Sequence, residues 1–88
     1  MEKWEMIFTK RAEKDWELIK QSPYRDKVVE LLRLIEENPF AEPPPVKQLV
    51  GDMKGAFSRR INHQHRLVYL VERENRRVKI VMMWLHYE

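Results

Sequence analysis

The amino-acid sequence predicts an α+β domain: a mostly antiparallel four-stranded sheet with two N-terminal helices packed on one face. Apolar residues recur at helical spacing between residues 10 and 37, and with a period of two from residue 56 onward. A proline-rich segment over residues 40–55 separates the two regions. With one further strand before the helices, the predicted order is strand, helix, helix and three strands.

Length and composition restrict the class of protein. The 88 residues suit a single domain over residues 1–88. The chain has no cysteine, which excludes disulfides and thiolate metal sites. No apolar run approaches the roughly 20 residues that span a bilayer, and the N-terminus "MEKWEMIF" lacks the long apolar region of a signal peptide. We therefore expect a cytoplasmic protein that does not engage a membrane.

The net charge of +3 is unevenly distributed along the chain. Residues 1–50 hold 9 Lys/Arg and 10 Asp/Glu, whereas residues 51–88 hold 8 Lys/Arg and 4 Asp/Glu. The basic excess therefore lies in the predicted three-stranded part. Such a surface favours a polyanionic partner, nucleic acid first, and a merely solvated face is the alternative.

The first strand and helix follow from spacing. Trp4–Phe8 has the length of a strand, with alternate residues on one face. Thr9 can cap a helix over about Lys10–Lys20. The apolar stripe of this helix is formed by residues spaced four and three apart: Ala12, Trp16 and Ile19.

The second helix is predicted from its start and stop signals. Ser22 suits the N-cap and Pro23 the first helical position. The helix should end at about Glu37, because Asn38 precedes a proline and avoids helical angles. Its buried face should consist of Val28, Leu31, Leu32 and Ile35.

The remainder reads as a loop followed by strands. Three prolines and two glycines within residues 40–55 predict an extended, stiff surface loop. Three strands should follow, at Ala56–Ile61, His65–Glu72 and Val78–Tyr87, joined by turns at Asn62–Gln64 and Arg73–Arg77. The last strand is apolar on both faces in its middle, which predicts an interior position. Strict alternation would place five of its residues on one face: Val78, Ile80, Met82, Trp84 and His86.

The stretch "SRRINHQHRLVY", residues 58–69, concentrates three arginines and two histidines. In an antiparallel hairpin the start of one strand faces the end of the next. Arg66 should therefore lie close to His86 and Tyr87, and Arg59 and Arg60 should reach the same end of the sheet. Because successive side chains point to opposite faces, only some of these residues can share one pocket.

This set of residues suits RNA cleavage by the 2′-hydroxyl, which needs a base, an acid and cations on the phosphate, but no metal. An arginine binds phosphate oxygens, and a histidine transfers protons near neutral pH. The alternatives are structural: Arg66 can pair with Glu72 or Asp52 at the surface, and His86 and Tyr87 can form a frayed, inert terminus. Zinc binding by His63 and His65 is disfavoured, because His63 is expected in a turn and no carboxylate has ligand spacing.

The segment "PPPVKQLVGDMKGAFSRRINHQHRLVYLV", followed by a C-terminal "HY", resembles the YoeB/Txe branch of the RelE superfamily, the toxins of bacterial toxin–antitoxin pairs. The match covers nearly the whole chain, including "NPF" at 38–40. The resemblance implies a microbial-RNase-like fold and a cofactor-free, metal-independent endoribonuclease that cuts mRNA in the ribosomal A site. The implied partners are the ribosome, mRNA and a YefM/Axe-like cognate antitoxin, in a homodimer or a heteromeric toxin–antitoxin complex.

The resemblance also implies roles for individual residues. Arg66 corresponds to the phosphate-binding arginine, His86 to the general acid and Tyr87 to its companion aromatic residue. Arg60 matches a second basic residue of the motif. Arg59, Arg60 and Lys54 are expected to bind RNA.

Lys47 is where the sequence departs from the family pattern, because the resemblance implies a general-base glutamate at this position. Lys47 would accept a proton only if neighbouring cations favoured its neutral form, or it would serve to stabilise charge. The alternative function is a catalytically weakened homologue that acts as a ribosome- or antitoxin-binding module.

Overall fold

The protein is described by a computed structural model that covers residues 2–51 and 55–86, with side chains up to Trp84. Within these residues the chain forms β1 (Glu5–Phe8), α1 (Lys10–Ile19), α2 (Arg25–Glu37), β2 (Lys47–Gln48), β3 (Ala56–Arg60), β4 (His65–Glu72) and β5 (Arg77–His86). None of the helices in the described part of the chain is both long and apolar enough to cross a membrane.

The strands form one five-stranded sheet in the order β1-β5-β4-β3-β2. β1 pairs parallel to β5, and every other pair is antiparallel. The α+β class and the interior position of the last strand are confirmed. The predicted helices and strands end within one residue of the observed bounds, except at the start of α2. The predicted count of four strands is wrong, because β2 lies inside the segment predicted to be a loop.

β2 is two residues long and extends the sheet beside β3. Lys47 is opposite Ser58, and Gln48 is opposite Phe57. The Leu49 amide donates to the Ala56 carbonyl at 2.9 Å and continues the pairing. Two residues are too few for a period-two pattern, so the sequence carries no signal for this strand.

Thr9 caps α1, as predicted, and also attaches the helix to β5. Its Oγ1 accepts a hydrogen bond from the Ala12 amide at 3.0 Å and donates to the Val81 carbonyl. Its amide donates to the Ile80 carbonyl at 3.1 Å. Thr9 therefore accepts from an amide of the first turn that has no partner within the helix, and it fixes the start of α1 against β5.

α2 begins at Arg25, so the predicted start at Ser22 and Pro23 is wrong. The Ser22 hydroxyl donates to the Ile19 carbonyl at 2.8 Å and accepts from the Tyr24 amide at 3.1 Å. Ser22 thus closes the end of α1 and forms the turn between the helices. The predicted end of α2 at Glu37 is confirmed.

The core lies between the two helices and one face of the sheet, here called the helix face, which carries Leu67 and Tyr69 of β4. The opposite face, which carries Ser58 and Arg66, is called the outer face. The buried core cluster comprises Ala12, Ile19, Val28, Leu31, Ile35, Ile61, Leu67, Tyr69, Val78, Ile80 and Met83. Both predicted helical stripes therefore face the sheet.

β5 contains two bulges that break the predicted alternation. In the pairing of β5 with β4, Leu85 is opposite Arg66, Met82 is opposite Val68 and Ile80 is opposite Tyr69. Met83 and Trp84 thus lie opposite one residue of β4, and Val81 is an additional extra residue. The phase of the strand changes after Ile80, so Met83 is buried in the core. The predicted shared face is wrong at Met82, which lies opposite Val68, the partner of Ser58, and therefore on the outer face. Trp84 packs against the core, as Val78 and Ile80 do.

Asp15 of α1 binds the bulged part of β5. Its Oδ2 accepts the Met83 amide at 2.9 Å, and both carboxylate oxygens lie 3.1 Å from Arg11 Nε. Asp15 is buried, with 5% of its surface exposed. The bulge takes the Met83 amide out of the hydrogen-bond ladder between β4 and β5, and the Asp15 carboxylate of α1 accepts from this amide instead.

Candidate active site

The predicted phosphate-binding arginine is held on the outer face by a buried hydroxyl. Arg66 Nη1 donates to Ser58 Oγ at 3.1 Å. Ser58 has no exposed surface, whereas Arg66 is half-buried. The hydrogen bond fixes one side of the guanidinium from beneath and orients the group on the sheet.

Two further cations share this face. Arg60 is directly opposite Arg66, and Lys47 is directly opposite Ser58. Residues that are directly opposite in an antiparallel ladder place their side chains on the same face. Arg60 and Lys47 are exposed. The result is a patch of three basic side chains around Ser58, here called the basic patch, which suits a phosphodiester better than an isolated arginine does.

The backbone of His86 belongs to β5, at the same end of the sheet as Arg66. His86 is opposite His65, and its neighbour Leu85 is opposite Arg66, so His86 lies one rung beyond Arg66. The structure describes the backbone of His86 but not its side chain, and Tyr87 and Lys54 lie outside the described residues. The general-acid role of His86, the companion role of Tyr87 and the RNA contact of Lys54 therefore stay predictions.

Arg59 does not belong to the basic patch. It points to the helix face and has no exposed surface. Its Nη1 donates to the Pro44 carbonyl at 2.8 Å, and its Nη2 donates to the carbonyls of Ala41 at 2.7 Å and Pro39 at 3.2 Å. The expected RNA contact of Arg59 is corrected on this ground, because a buried guanidinium presents no surface to RNA.

Tyr69 completes the surroundings of Arg59. Its hydroxyl accepts from Arg59 Nε at 3.1 Å and donates to the Pro39 carbonyl at 2.7 Å. Burial raises the pKa of the Tyr69 phenol above its ordinary value, an effect that the positive charge and the hydrogen bond of Arg59 partly oppose. Tyr69 is therefore a neutral donor and acceptor throughout the physiological range.

Aromatic side chains also anchor the predicted surface loop. Phe40 packs edge-on against Phe57 with ring centroids 5.6 Å apart, and against Trp4 at 6.2 Å. The Arg73 guanidinium lies 4.4 Å from the centroid of the Phe40 ring. The inner side of this segment is thus attached to the sheet by aromatic contacts and hydrogen bonds.

His65 packs at the end of β4. Its ring stacks on Trp84 with centroids 3.8 Å apart and planes 9° from parallel. Asn62 Oδ1 accepts from the His65 amide at 2.9 Å and lies 3.2 Å from the Nδ1 atom of His65, so His65 is held locally by the turn. His63 is exposed in the turn. In the described part of the chain, no three His, Asp or Glu side chains are grouped to hold a metal.

Comparison with known proteins identifies the family. A family model described as the YoeB-like toxin of bacterial type II toxin–antitoxin systems matches residues 8–87. The chain belongs to the YoeB-like toxin family. The comparison with curated protein sequences gave no significant match.

Solved structures support the assignment to the YoeB-like family. The chain is 30% identical to a YoeB/ParE toxin from Agrobacterium tumefaciens, with a TM-score of 0.84 over 94% of this chain and 99% of the other. It is 32% identical to a chain of the YoeB-YefM complex from Staphylococcus aureus, with a TM-score of 0.79 over 96% and 98%. YafQ from E. coli, at 16% identity and a TM-score of 0.76 over 93% and 92%, shares the fold.

In this YoeB-like chain, sequence reasoning missed Ser58 and Asp15. Ser58 directly precedes the two arginines, but a serine on a strand gives no signal of a role. Asp15 did carry a signal, because it lies between Ala12 and Ile19 on the apolar stripe of α1. A carboxylate at that position needs a buried partner, and the Met83 amide provides it.

Proposed function

We propose that this YoeB-like toxin is a metal-independent endoribonuclease that cleaves mRNA on the ribosome as part of a type II toxin–antitoxin system. The observation that carries the proposal is the Arg66–Ser58 hydrogen bond of 3.1 Å, with Arg60 on the rung of Arg66 and Lys47 on the rung of Ser58. This arrangement holds one oriented cation and two exposed cations at a single surface. Family membership supports the same activity.

In the proposed reaction, the 2′-hydroxyl of one nucleotide attacks its own 3′-phosphorus. The bond between the 2′ oxygen and phosphorus forms as the 2′-hydroxyl releases its proton to solvent water, and the bond between phosphorus and the 5′ oxygen breaks. The products are a 2′,3′-cyclic phosphate, or a 3′-phosphate after hydrolysis, and a 5′-hydroxyl. Arg66 binds the non-bridging oxygens, on which negative charge increases in the transition state. His86 donates the proton to the leaving 5′ oxygen, and Tyr87 assists it.

Lys47 stabilises charge in this proposal. Its position opposite Ser58 places a third cation beside Arg66 on the same face. An ammonium close to the phosphate favours the more negative transition state over the ground state. Accepting the 2′-hydroxyl proton is the second role open to Lys47, and it requires a neutral amine.

A cognate antitoxin of the YefM type is the proposed protein partner. The support is the S. aureus relative, which is described in a YoeB-YefM complex, in a heterotetrameric toxin–antitoxin complex and as a YoeB dimer. Co-expression with a YefM-type antitoxin should yield a complex that co-purifies and suppresses cleavage. A toxin that stays fully active with this protein in excess would contradict the partnership.

The activity is tested by primer extension on mRNA in a bacterial translation extract. Cuts should appear in the codon of the A site, and Arg66→Ala should lower the cleavage rate by about 100-fold or more, since it removes the oriented cation. Arg77→Ala is the matched control. Arg77 belongs to the same sheet but pairs with Glu5 at the far end of β5, and this variant should cleave normally. Equal rates for wild type and Arg66→Ala would refute the site.

The second candidate function is a weakened toxin that binds the ribosome or the antitoxin without efficient cleavage. The carboxylate of Glu42, in the proline-rich loop, is engaged by the Val46 amide at 3.1 Å, which disfavours Glu42 as a general base. Translation arrest with intact mRNA would support this candidate. A large gain of cleavage in Lys47→Glu would show that a missing carboxylate limits the rate.

A further inference from the structure

We propose that Arg59 is a positioning residue: it fixes the proline segment, residues 39–46, and thereby places Lys47 beside Arg66. The inference rests on the proposed ribonuclease function. It assigns to the buried arginine of the "SRR" motif a task different from that of its exposed neighbour Arg60.

The contacts of Arg59 span the proline segment. Three carbonyls, those of Pro39, Ala41 and Pro44, accept from its two terminal nitrogens at 2.7 to 3.2 Å. Its Nε donates to Tyr69, whose hydroxyl in turn donates to the Pro39 carbonyl. Six residues of loop backbone are thus fixed to β3 and β4 through one planar group.

The burial of Arg59 argues for geometry rather than for stability. Removing a guanidinium from water is costly, and the hydrogen-bond partners of Arg59 are neutral oxygens rather than carboxylates. An apolar side chain of similar length would avoid this cost. What only the rigid five-donor group provides is the simultaneous binding of several carbonyls in fixed directions.

The chain links this anchor to the basic patch over a short distance. Lys47 follows Pro44 by three residues and pairs with Ser58, the residue before Arg59 on β3. Ser58 is also the residue that binds Arg66. One strand therefore holds the proline segment on its helix face and Arg66 on its outer face. β2 has only two residues. Its position therefore depends on the proline segment before it, which Arg59 holds in place.

Amide hydrogen exchange tests the positioning without any RNA. Tyr69→Phe removes the hydroxyl that joins Arg59 to Pro39, and Arg59→Lys keeps the charge but loses the planar group. Both variants should exchange at least about tenfold faster than wild type at the amides of Val46 and Leu49. Arg77→Lys, the matched control at the far end of β5, should not. Unchanged exchange at these amides in Tyr69→Phe, a variant chosen to remain folded, would overturn the proposal.

A double-mutant cycle tests whether Arg59 acts through Lys47. Under single-turnover conditions with excess ribosomes, Tyr69→Phe should lower the saturating cleavage rate about tenfold and leave the half-saturating ribosome concentration unchanged. In a Lys47→Met background the same change should cost less than about twofold. An equal loss in both backgrounds would show a general effect on the fold and overturn the proposal.

The two experiments separate this inference from the function on which it rests. A wild-type protein that does not cleave mRNA would refute the ribonuclease function. Hydrogen exchange would then still decide whether Arg59 positions β2, because that measurement needs no substrate.

Discussion

Arg60 of β3 is directly opposite Arg66 of β4, so two guanidinium groups occupy one rung of the outer face. Like charges that are directly opposite destabilise a sheet. A binding surface can retain such a pair, because a phosphate between the two groups turns their repulsion into attraction for the ligand. On the proposed function, we therefore expect the rung to be less favourable in the free protein than in a complex with RNA.

Arg60→Gln should separate these two effects. We expect the free energy of unfolding at low salt to rise by roughly 0.2–1 kcal/mol, because one member of the like-charged rung is removed. Affinity for ribosomes or RNA should fall, and the slope of log affinity against log salt should decrease by about 1, as for the loss of one phosphate contact. Urea denaturation and binding titrations at several salt concentrations measure both quantities.

Arg33→Gln is the control for Arg60→Gln, since Arg33 is exposed on α2. It should leave the salt slope of binding unchanged. A salt slope for Arg60→Gln equal to that of wild type would place Arg60 outside the RNA-binding surface.

Ser58→Ala should weaken catalysis more than folding. It removes the hydroxyl that binds Arg66 Nη1 at 3.1 Å but leaves the cation in place. A single hydrogen bond of this kind corresponds to about a three- to tenfold lower cleavage rate, with an unfolding free energy within about 1 kcal/mol of wild type. Single-turnover cleavage and urea denaturation provide the two measurements.

Ser22→Ala is the matched control for Ser58→Ala. It also removes a serine hydroxyl, one that bonds the Ile19 carbonyl between the helices. This variant should lose stability and keep the cleavage rate of wild type. If Ser58→Ala cleaves as fast as Ser22→Ala, Arg66 does not depend on Ser58 for its orientation.

The raised pKa of Tyr69 predicts a loss of stability in alkali. The pKa of this phenol is near its ordinary value of 10.0 in the unfolded chain and is higher in the folded protein, because burial disfavours the phenolate. Above about pH 10 the unfolded state releases this proton while the native state retains it. The contribution of Tyr69 to the free energy of unfolding is therefore complete below about pH 10 and is lost as the pH rises through the pKa of this phenol in the folded protein.

Urea denaturation between pH 8 and about pH 11 should show this decline, and Tyr69→Phe should remove the part of the slope that belongs to one phenol. Tyr24→Phe serves as the comparison, because Tyr24 is 39% exposed. Identical slopes for wild type and Tyr69→Phe would mean that Tyr69 titrates alike in the folded and unfolded states.

The sequence identifies those parts of the fold in which burial repeats regularly. α1, β4 and the end of α2 follow from apolar spacing, a threonine cap and an Asn-Pro stop. The bulges in β5 do not, because a change of phase in one strand depends on what packs against it. Met83 is buried where Thr9, the cap of α1, and Asp15 of α1 bind the bulged backbone of β5.

The candidate site also has a part that the sequence predicts and a part that it does not. Arg60 and Arg66 are brought together by antiparallel pairing, which sequence reasoning can anticipate from the hairpin. The burial of Arg59 could not be anticipated, because it depends on the proline segment returning over the sheet. The pairing of Lys47 with Ser58 was equally hidden, since β2 is too short to produce a pattern.

The buried carboxylate of Asp15 should be among the strongest single contributors to stability outside the apolar core. Asp15→Ala would leave the Met83 amide without its acceptor inside the protein. We expect the free energy of unfolding to fall by about 2–3 kcal/mol, the cost of an unsatisfied buried donor. Asp15→Asn retains an acceptor oxygen for that amide and should lose roughly half as much.

Arg11→Ala determines whether the ion pair or the amide contact is responsible. Arg11 lies 3.1 Å from the Asp15 carboxylate, but its side chain is 52% exposed. A pair of this kind contributes about 1 kcal/mol at most. Urea denaturation should therefore rank the variants Asp15→Ala, Asp15→Asn and Arg11→Ala in order of decreasing loss. If Arg11→Ala is as destabilising as Asp15→Ala, the ion pair rather than the bulge amide accounts for the role of Asp15.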